Sequence, residues 1–155
     1  MSSGECKNIL KGHDHVIECV KFLPASSAKY VKDLLSNTNN KNVSGSNADG
    51  PSAYLVSGSR DKSIKIWDCY SGQCVLTLTG HDNWIRDICV VNASGKFLLS
   101  VSDDKTLRVW DLSLARCVKT YEAHSHFVTT LASSTRSPLV ATGSVDQSIK
   151  IWNCR

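Results

Sequence analysis

The sequence predicts an all-β protein built from three copies of a small four-stranded antiparallel sheet. Three tryptophans recur at spacings of 43 and 42 residues, namely Trp67, Trp110 and Trp152. Short segments of alternating apolar and polar residues lie between them and are separated by turn residues. A period of about 40–45 residues is typical of a repeat that folds as one small sheet.

The middle repeat shows the individual strands. Its four apolar–polar alternating segments are Ile85–Val91, Phe97–Ser102, Thr106–Asp111 and Arg116–Tyr121. We label the corresponding strands of every repeat a, b, c and d. Sheets this small cannot bury both of their faces alone, so successive repeats must stack. Stacked sheets of this kind form a β-propeller.

The number of repeats is small for a closed propeller, which has about 4–8 blades. The repeat units cover about residues 5–69, 70–112 and 113–155. Along the chain, the predicted order of strands is d, then a-b-c, then d-a-b-c twice. Three blades leave two sheet faces and their edges uncovered. We therefore expect part of a larger propeller, with a truncated gene product or one component of an assembly as alternatives.

The same dipeptides and turns recur before each tryptophan. A Gly-His or Ala-His pair is followed by S-x-S-x-D or a close variant, and then by Trp-Asp or Trp-Asn. This order resembles the signature of the WD40 repeat family, and it occurs three times in register. The resemblance implies a WD40 β-propeller fold.

Each repeat also contains a Ser or Thr, an Asp and a Trp at fixed spacing, preceded by a His. In the WD40 family these side chains form a buried hydrogen-bonded tetrad that joins the b–c turn to the d–a loop, so the resemblance implies a structural role. The three sets are His13, Ser57, Asp61 and Trp67; His81, Ser100, Asp104 and Trp110; and His124, Thr142, Asp146 and Trp152.

A Ser–His–Asp set also suggests acyl transfer. Three observations argue against that interpretation: the set recurs in every repeat, Thr142 replaces the serine in one of them, and no nucleophile elbow accompanies it. We therefore expect no catalytic residues and no enzyme activity.

Composition argues against several other functions. The formal charge is +4, and the basic residues are scattered rather than concentrated in a nucleic-acid-binding patch. No apolar run approaches the ~20 residues of a membrane helix. The seven cysteines include no C-x-x-C pair, which argues against a disulfide framework and a metal site. No phosphate-binding or dinucleotide fingerprint occurs, so we expect no cofactor and no small-molecule substrate.

The first repeat carries an insertion. His13 and Ser57 are 44 residues apart, whereas 19 and 18 residues separate the corresponding pairs in the other repeats. Residues 25–53 contain the excess, and their Asn-, Ser- and Gly-rich core predicts a flexible loop between strands a and b. Tyr30–Leu35 could form one helical turn. A tolerated insertion is favoured over a docking or modification loop.

The loops carry a more specific resemblance. GHDNWIRDI (80–88), SGSRDKSIKIWD (57–68), DDKTLRVWD (103–111), AHSHFVTTL (123–131) and TGSVDQSIKIWNCR (142–155) are similar to the C-terminal part of the lissencephaly-1 family. That family comprises WD40 regulators of dynein, described also as non-catalytic subunits of a platelet-activating-factor acetylhydrolase. The resemblance implies about three blades of a seven-bladed parent.

The resemblance also implies a protein-binding face. In a propeller the d–a and b–c loops share one rim, which would present Arg60, Trp84, Lys105 and Phe127. In the lissencephaly-1 family the Arg, Trp and Lys that match the first three contact the dynein motor ring. The alternatives are that Trp84 is buried between blades and that Arg60 and Lys105 lie in ordinary solvated turns.

The partners implied by the family are the motor domain of the dynein heavy chain, adaptors of the nuclear-distribution type and the acetylhydrolase catalytic subunits. Nucleic acid and membranes are not expected partners. The implied roles are microtubule-based transport, nuclear positioning and cell division, in the cytoplasm at microtubules and the centrosome. A different WD40 adaptor, such as a ubiquitin-ligase substrate receptor or a signalling scaffold, is the alternative function.

Overall fold

The computed structural model describes residues 4–37, 53–91 and 94–154. Within these residues the chain forms three antiparallel sheets, which confirms the predicted all-β propeller class. We call the sheets the first, second and third blades.

The strands follow the chain in order from β1 to β11. The first blade consists of β1 (Ile17–Phe22), β2 (Tyr54–Ser59), β3 (Ser63–Asp68) and β4 (Cys74–Thr79). The second consists of β5 (Ile85–Val91), β6 (Phe97–Ser102), β7 (Thr106–Asp111) and β8 (Arg116–Glu122). The third consists of β9 (Val128–Ser133), β10 (Leu139–Ser144) and β11 (Ile149–Asn153).

Tight turns of one kind join the second and third strands of every blade. The residue after the tetrad aspartate has a positive φ in all three, at Lys62 (69°), Lys105 (71°) and Gln147 (68°). A backbone hydrogen bond closes each turn, as from the Lys105 amide to the Ser102 carbonyl at 3.1 Å. These turns place the tetrad aspartate of each blade on the same rim.

The apolar core lies between the blades. Across the first seam, Ile64, Ile66 and Leu78 belong to the same buried cluster as Ile85 and Ile88 of the second blade. A second cluster joins the second and third blades and includes Leu99, Leu107, Val128 and Val140. Burial therefore depends on the neighbouring blade, as the repeat pattern predicts.

Asp87 connects all three blades near their first strands. Its carboxylate accepts a hydrogen bond from the Leu131 amide of β9 at 3.0 Å. The Lys21 ammonium group of β1 lies 3.7 Å from the same carboxylate. The innermost strands are thus joined by polar contacts as well as by apolar packing.

The insertion in the first repeat begins with a helix, α1 (Ala25–Asn37), where the sequence suggested a flexible loop over 25–53. The helix is longer than the single turn considered for Tyr30–Leu35. Its buried residues Ser27 and Val31 explain its stability, because Val31 lies in the first seam's core and the Ser27 hydroxyl donates to the Gly95 carbonyl at 2.7 Å. Residues 38–52 of the expected loop lie outside the described residues.

Residues 4–16 do not form the strand d that the repeat alignment predicts for them. Strand d pairs with strand c of the preceding repeat, as β4 pairs with β3 and β8 pairs with β7. Among the described residues no repeat precedes residue 4, so this segment has no strand to pair with. The third blade correspondingly has three strands, because no described segment follows β11.

No helix in the described part of the chain is long and apolar enough to cross a membrane.

Candidate protein-binding face

The second blade shows the tetrad in full. Trp110 Nε1 donates to Ser100 Oγ at 2.8 Å, and Ser100 Oγ lies 2.7 Å from His81 Nε2. His81 Nδ1 lies 2.6 Å from Asp104 Oδ2. The four groups form one continuous chain of hydrogen bonds that runs from strand β7 to the β6–β7 turn.

The structure brings the other two sets together in the same way. In the first blade the Trp67–Ser57, Ser57–His13 and His13–Asp61 distances are 2.8, 2.7 and 2.6 Å. In the third blade the Trp152–Thr142, Thr142–His124 and His124–Asp146 distances are 2.9, 2.8 and 2.9 Å. The methyl group of Thr142 is accommodated without loss of either hydrogen bond.

The tetrad serine is inaccessible to a substrate. Ser100 is fully buried, and its oxygen already accepts the indole N–H of Trp110. A nucleophilic hydroxyl needs open space in front of it and a base free to take its proton. The geometry is that of a satisfied buried network that fixes the rim loops.

Two further side chains that sequence reasoning missed complete each network. The hydroxyl groups of Ser63, Thr106 and Ser148 donate to Oδ1 of the tetrad aspartate two residues earlier, at 2.6 Å in every blade. The hydroxyl oxygens of Ser59, Ser102 and Ser144 accept the amide of that aspartate at 3.1 Å. The signal was present, because the spacing [S]-x-D-x-[S/T] recurs in all three repeats.

These contacts stabilise the charged form of the aspartates. Partial burial of Asp61 and Asp104 opposes ionisation, but hydrogen bonds outweigh it: Ser63 and His13 donate to Asp61, and His81 and Thr106 donate to Asp104. The pKa of each carboxyl is held well below its ordinary value. At neutral pH both side chains are therefore carboxylates that accept several donors.

We expect the free energy of unfolding to decrease as the pH falls below about 4, the ordinary pKa of an aspartate in an unfolded chain. The unfolded state takes up protons first, because Asp61 and Asp104 have lowered pKa values in the folded state, and this favours unfolding. Urea unfolding between pH 7 and pH 3 measures the effect. The free energy of unfolding of an Asp104→Asn variant should depend less steeply on pH. An unchanged dependence would contradict the lowered pKa of Asp104 in the folded state.

The rim formed by these loops carries a stacked cation–aromatic pair at the first seam. The Arg60 guanidinium carbon lies 4.2 Å from the centre of the Trp84 ring, and both side chains are partly exposed. Arg60 precedes the tetrad aspartate of the first blade, whereas Trp84 follows the tetrad histidine of the second. The structure thus brings together two of the residues singled out from the sequence.

Beside this pair, side chains of alternating charge form a chain of contacts across the seam. Arg60 Nε donates to Glu18 Oε1, and Arg86 Nη1 lies 3.4 Å from Glu18 Oε2. Arg86 also donates to both oxygens of Asp103, at 2.8 and 2.7 Å. The Arg86 guanidinium carbon also lies over the Trp84 ring, 5.1 Å from its centre.

This arrangement fixes the charges at the seam. The hydrogen bond from Arg60 lowers the pKa of Glu18, with a further contribution from Arg86. The hydrogen bond to Asp103 likewise raises the pKa of Arg86. Both arginines are therefore held in place, and the exposed parts of Arg60 and Trp84 form one preorganised surface.

Lys105 and Phe127 lie on the same rim but in separate places. Lys105 is exposed in the β6–β7 turn, and its ammonium group has no hydrogen-bond or ion-pair partner among the described residues. Phe127 is half-buried before β9, with its ring against His126 at 4.5 Å. No ring or cation–π contact described in the structure joins either residue to Arg60 or Trp84.

The repeated tetrads and the propeller blades define the class of this protein. The sequence profile of the family described as WD domain, G-beta repeat matches residues 4–68, 72–111 and 115–153. The chain belongs to this family of WD40 repeat proteins.

Comparison with curated proteins identifies more specific relatives. The chain is 46% identical over 145 residues to the Lissencephaly-1 homolog of Heterostelium pallidum, an alignment that covers 90% of this chain and 34% of that protein. It is 43% identical over 84 residues to the Lissencephaly-1 homolog of Glossina morsitans morsitans, which covers 54% of this chain and 19% of that protein. The chain thus spans about a third or less of the length of these relatives. The resemblance to lissencephaly-1 proteins is confirmed.

Proposed function

We propose that this chain is a non-catalytic scaffold whose rim binds the motor domain of cytoplasmic dynein. The dynein partner follows from the resemblance to the lissencephaly-1 family. The observation that carries the binding surface is the stack of Arg60 on Trp84, which spans two blades and remains partly exposed.

The composition of this stack suits a binding hot spot. Tryptophan and arginine are enriched among residues whose truncation costs a protein interface most of its affinity. Arg60 is held by Glu18 on one side and by Trp84 on the other. Binding therefore has less side-chain freedom to remove, which favours affinity.

Lys105 and Phe127 extend the proposed surface. The ammonium group of Lys105, which has no partner among the described residues, is available for a carboxylate of the partner. Phe127 offers a partly exposed ring at the position that Trp84 occupies in the second blade. We propose that the surface runs along the rim from the first seam towards the third blade.

The mechanism would be conformational. A scaffold that binds one state of a motor more tightly than another shifts the motor towards that state, and no bond is made or broken. The family resemblance extends the proposal to microtubule-based transport, nuclear positioning and cell division in the cytoplasm, at microtubules and the centrosome. Nuclear-distribution adaptors and acetylhydrolase catalytic subunits are further proposed partners.

We expect an Arg60→Ala/Trp84→Ala variant to bind purified dynein motor domain at least about tenfold more weakly than wild type, a loss of about 1.4 kcal/mol. The dissociation constant is measured by titrating the chain against motor domain immobilised on a surface. Val16→Ala is the control for the tryptophan, because Val16 occupies the same position in the first blade.

Lys105 has its own matched control. Lys105→Asn removes the charge but tolerates the positive φ of the turn, and Lys62→Asn makes the same change in the first blade. We expect only the Lys105 variant to weaken binding.

Equal binding by folded wild type and the Arg60→Ala/Trp84→Ala variant would overturn the proposed binding surface. No binding by folded wild type would overturn the dynein partner and favour another WD40 adaptor role.

A further inference from the structure

The second residue after the tetrad histidine makes the same contact in every blade. This residue is His15 in the first blade, Asn83 in the second and His126 in the third. Each of these side chains accepts a hydrogen bond from the backbone amide of the residue that follows it. His15 Nδ1 accepts at 2.7 Å, Asn83 Oδ1 at 2.8 Å and His126 Nδ1 at 2.8 Å. The accepting atom is bonded to Cγ in all three, so the contact has the same local geometry in histidine and in asparagine.

This bond determines which ring nitrogen of each histidine carries the proton. A backbone amide can only donate, so Nδ1 of His15 and of His126 is the unprotonated acceptor. A neutral imidazole has its single proton on the other nitrogen, so Nε2 is an N–H donor in both residues. The side chain of Asn83 behaves alike, because its Oδ1 accepts the amide and its Nδ2 group only donates. The three blades therefore have an N–H donor at the same position.

These donors are available to another molecule. His15 and His126 are exposed, and Asn83 is half-buried. Among the described residues, no hydrogen bond uses Nε2 of either histidine or Nδ2 of the asparagine. The tetrad histidines differ in this respect, since both ring nitrogens of His81 are bonded within its blade. The repeated donors thus lie outside the network that stabilises each blade.

The loop backbone holds the donors in place. In every blade, a backbone amide of the b–c turn donates to the carbonyl of the residue after the donor. The three pairs are Arg60 and Val16 at 2.9 Å, Asp103 and Trp84 at 3.0 Å, and Val145 and Phe127 at 3.0 Å. In the first and third blades, the hydroxyl of Ser59 or Ser144 also donates to the carbonyl of the donor residue itself, at 3.3 Å in both. The donors are therefore preorganised, which reduces the entropy that binding has to remove.

An aromatic side chain of the rim lies beside each donor. The ring centre of His15 is 6.4 Å from that of Trp84 in the next blade. Asn83 directly precedes the same tryptophan in the chain. The ring of His126 packs edge-on against Phe127, with 4.5 Å between the ring centres. The donors thus follow the rim alongside the aromatic residues of the proposed binding surface.

We propose that His15, Asn83 and His126 determine the specificity of this surface, and that the partner places an oxygen acceptor opposite each of them. The inference rests on the proposed function, because it assigns further residues to the same rim and gives the chemistry that the partner must have. The acceptor is a carbonyl or a carboxylate oxygen. A partner group that only donates is rejected, because two N–H groups would then face each other without an acceptor.

Exchanging a donor for an acceptor tests the proposal. His15→Asp keeps an oxygen for the Val16 amide but turns a second oxygen outward in place of the N–H group. Adding Asp14→Asn in the same chain leaves the net charge of the loop unchanged. We expect the Asp14→Asn/His15→Asp variant to bind the dynein motor domain about tenfold more weakly than wild type. Asp14→Asn alone is the control and should bind like wild type, because this exposed carboxylate has no partner among the described residues.

A conservative variant separates the donor from the rest of the ring. His15→Asn restores an outward N–H group, as Asn83 provides in the second blade, and should recover the binding that His15→Asp loses. Loss of packing against Trp84 would not be recovered in this way. Asn83→Asp repeats the exchange in the second blade without a change in side-chain size, and it should also weaken binding. A loss that shrinks at high salt identifies a carboxylate as the acceptor, and a constant loss identifies a carbonyl.

The position of the ring protons can be measured without a partner. Nitrogen NMR shifts of His15 and His126 should show a proton on Nε2 at a pH where both rings are neutral. Their resonances are identified by their disappearance in His15→Asn and His126→Asn. A proton on Nδ1 would overturn the proposal whether or not the motor domain binds.

The binding data distinguish this inference from the proposed function. Equal binding by wild type and the Asp14→Asn/His15→Asp variant would overturn the role of the donors and leave the surface at Arg60 and Trp84 in place. No binding by folded wild type would overturn the dynein partner, and with it the acceptors assigned to that partner.

Discussion

Replacing Ser100 by alanine should lower the free energy of unfolding by about 3 kcal/mol. The substitution leaves two buried donors or acceptors without their partner, the Trp110 indole N–H and the His81 Nε2 atom. An unsatisfied buried polar group costs about 1–3 kcal/mol. The serine is fully buried, so water cannot take the place of its hydroxyl without rearrangement.

Urea unfolding followed by tryptophan fluorescence measures this effect. Ser71→Ala is the control, because Ser71 is exposed in the β3–β4 turn and is not part of a tetrad. We expect that control to change the free energy of unfolding by less than about 0.5 kcal/mol. If Ser100→Ala and Ser71→Ala unfold at the same urea concentration, the tetrad does not stabilise the second blade.

The periodic parts of the molecule could be predicted from the sequence. The bounds of β5, β6 and β7 agree with the predicted segments, and β8 extends one residue further to Glu122. Alternation of apolar and polar residues determines such strands locally, and the repeat places them in register. The tetrads could be predicted for the same reason, because the four residues of each tetrad lie in one blade or in the loop that leads into it.

The features that depend on neighbours outside the repeat could not be predicted. Helix α1 begins with Ala-Ser-Ser-Ala, which is a weak helix signal, and it is stabilised by burial of Val31 and by the bond from Ser27 to Gly95 of the second blade. No repeat pattern describes an element that occurs once. Tertiary contact rather than local propensity determines this helix.

The charged network of the first seam is a second example. Glu18 and Arg60 occupy the same repeat positions as Arg86 and Asp103, but with the charges exchanged. These positions vary between the repeats, so aligning the repeats does not predict their contacts. The network could be recognised only from the stacked blades, because the Glu18–Arg86 contact joins different blades.

Replacing Ile66 by alanine should lower the free energy of unfolding by about 3–4 kcal/mol, whereas the same change at Ile151 should cost less than about 1 kcal/mol. Isoleucine-to-alanine changes in a packed core cost about 2–5 kcal/mol through lost burial and the remaining cavity. Ile66 is fully buried in the first seam, and Ile151 is 70% exposed at the same position of its blade.

The comparison measures the combined contribution of the fourth strand and the neighbouring blade. Both residues precede the tetrad tryptophan and pair with the second strand of their own sheet, Ile66 with Val56 and Ile151 with Ala141. Pairing with the second strand is therefore similar, whereas β4 and the second blade cover Ile66 and have no counterpart beside Ile151 among the described residues. Equal losses would mean that burial by these two elements does not stabilise the fold.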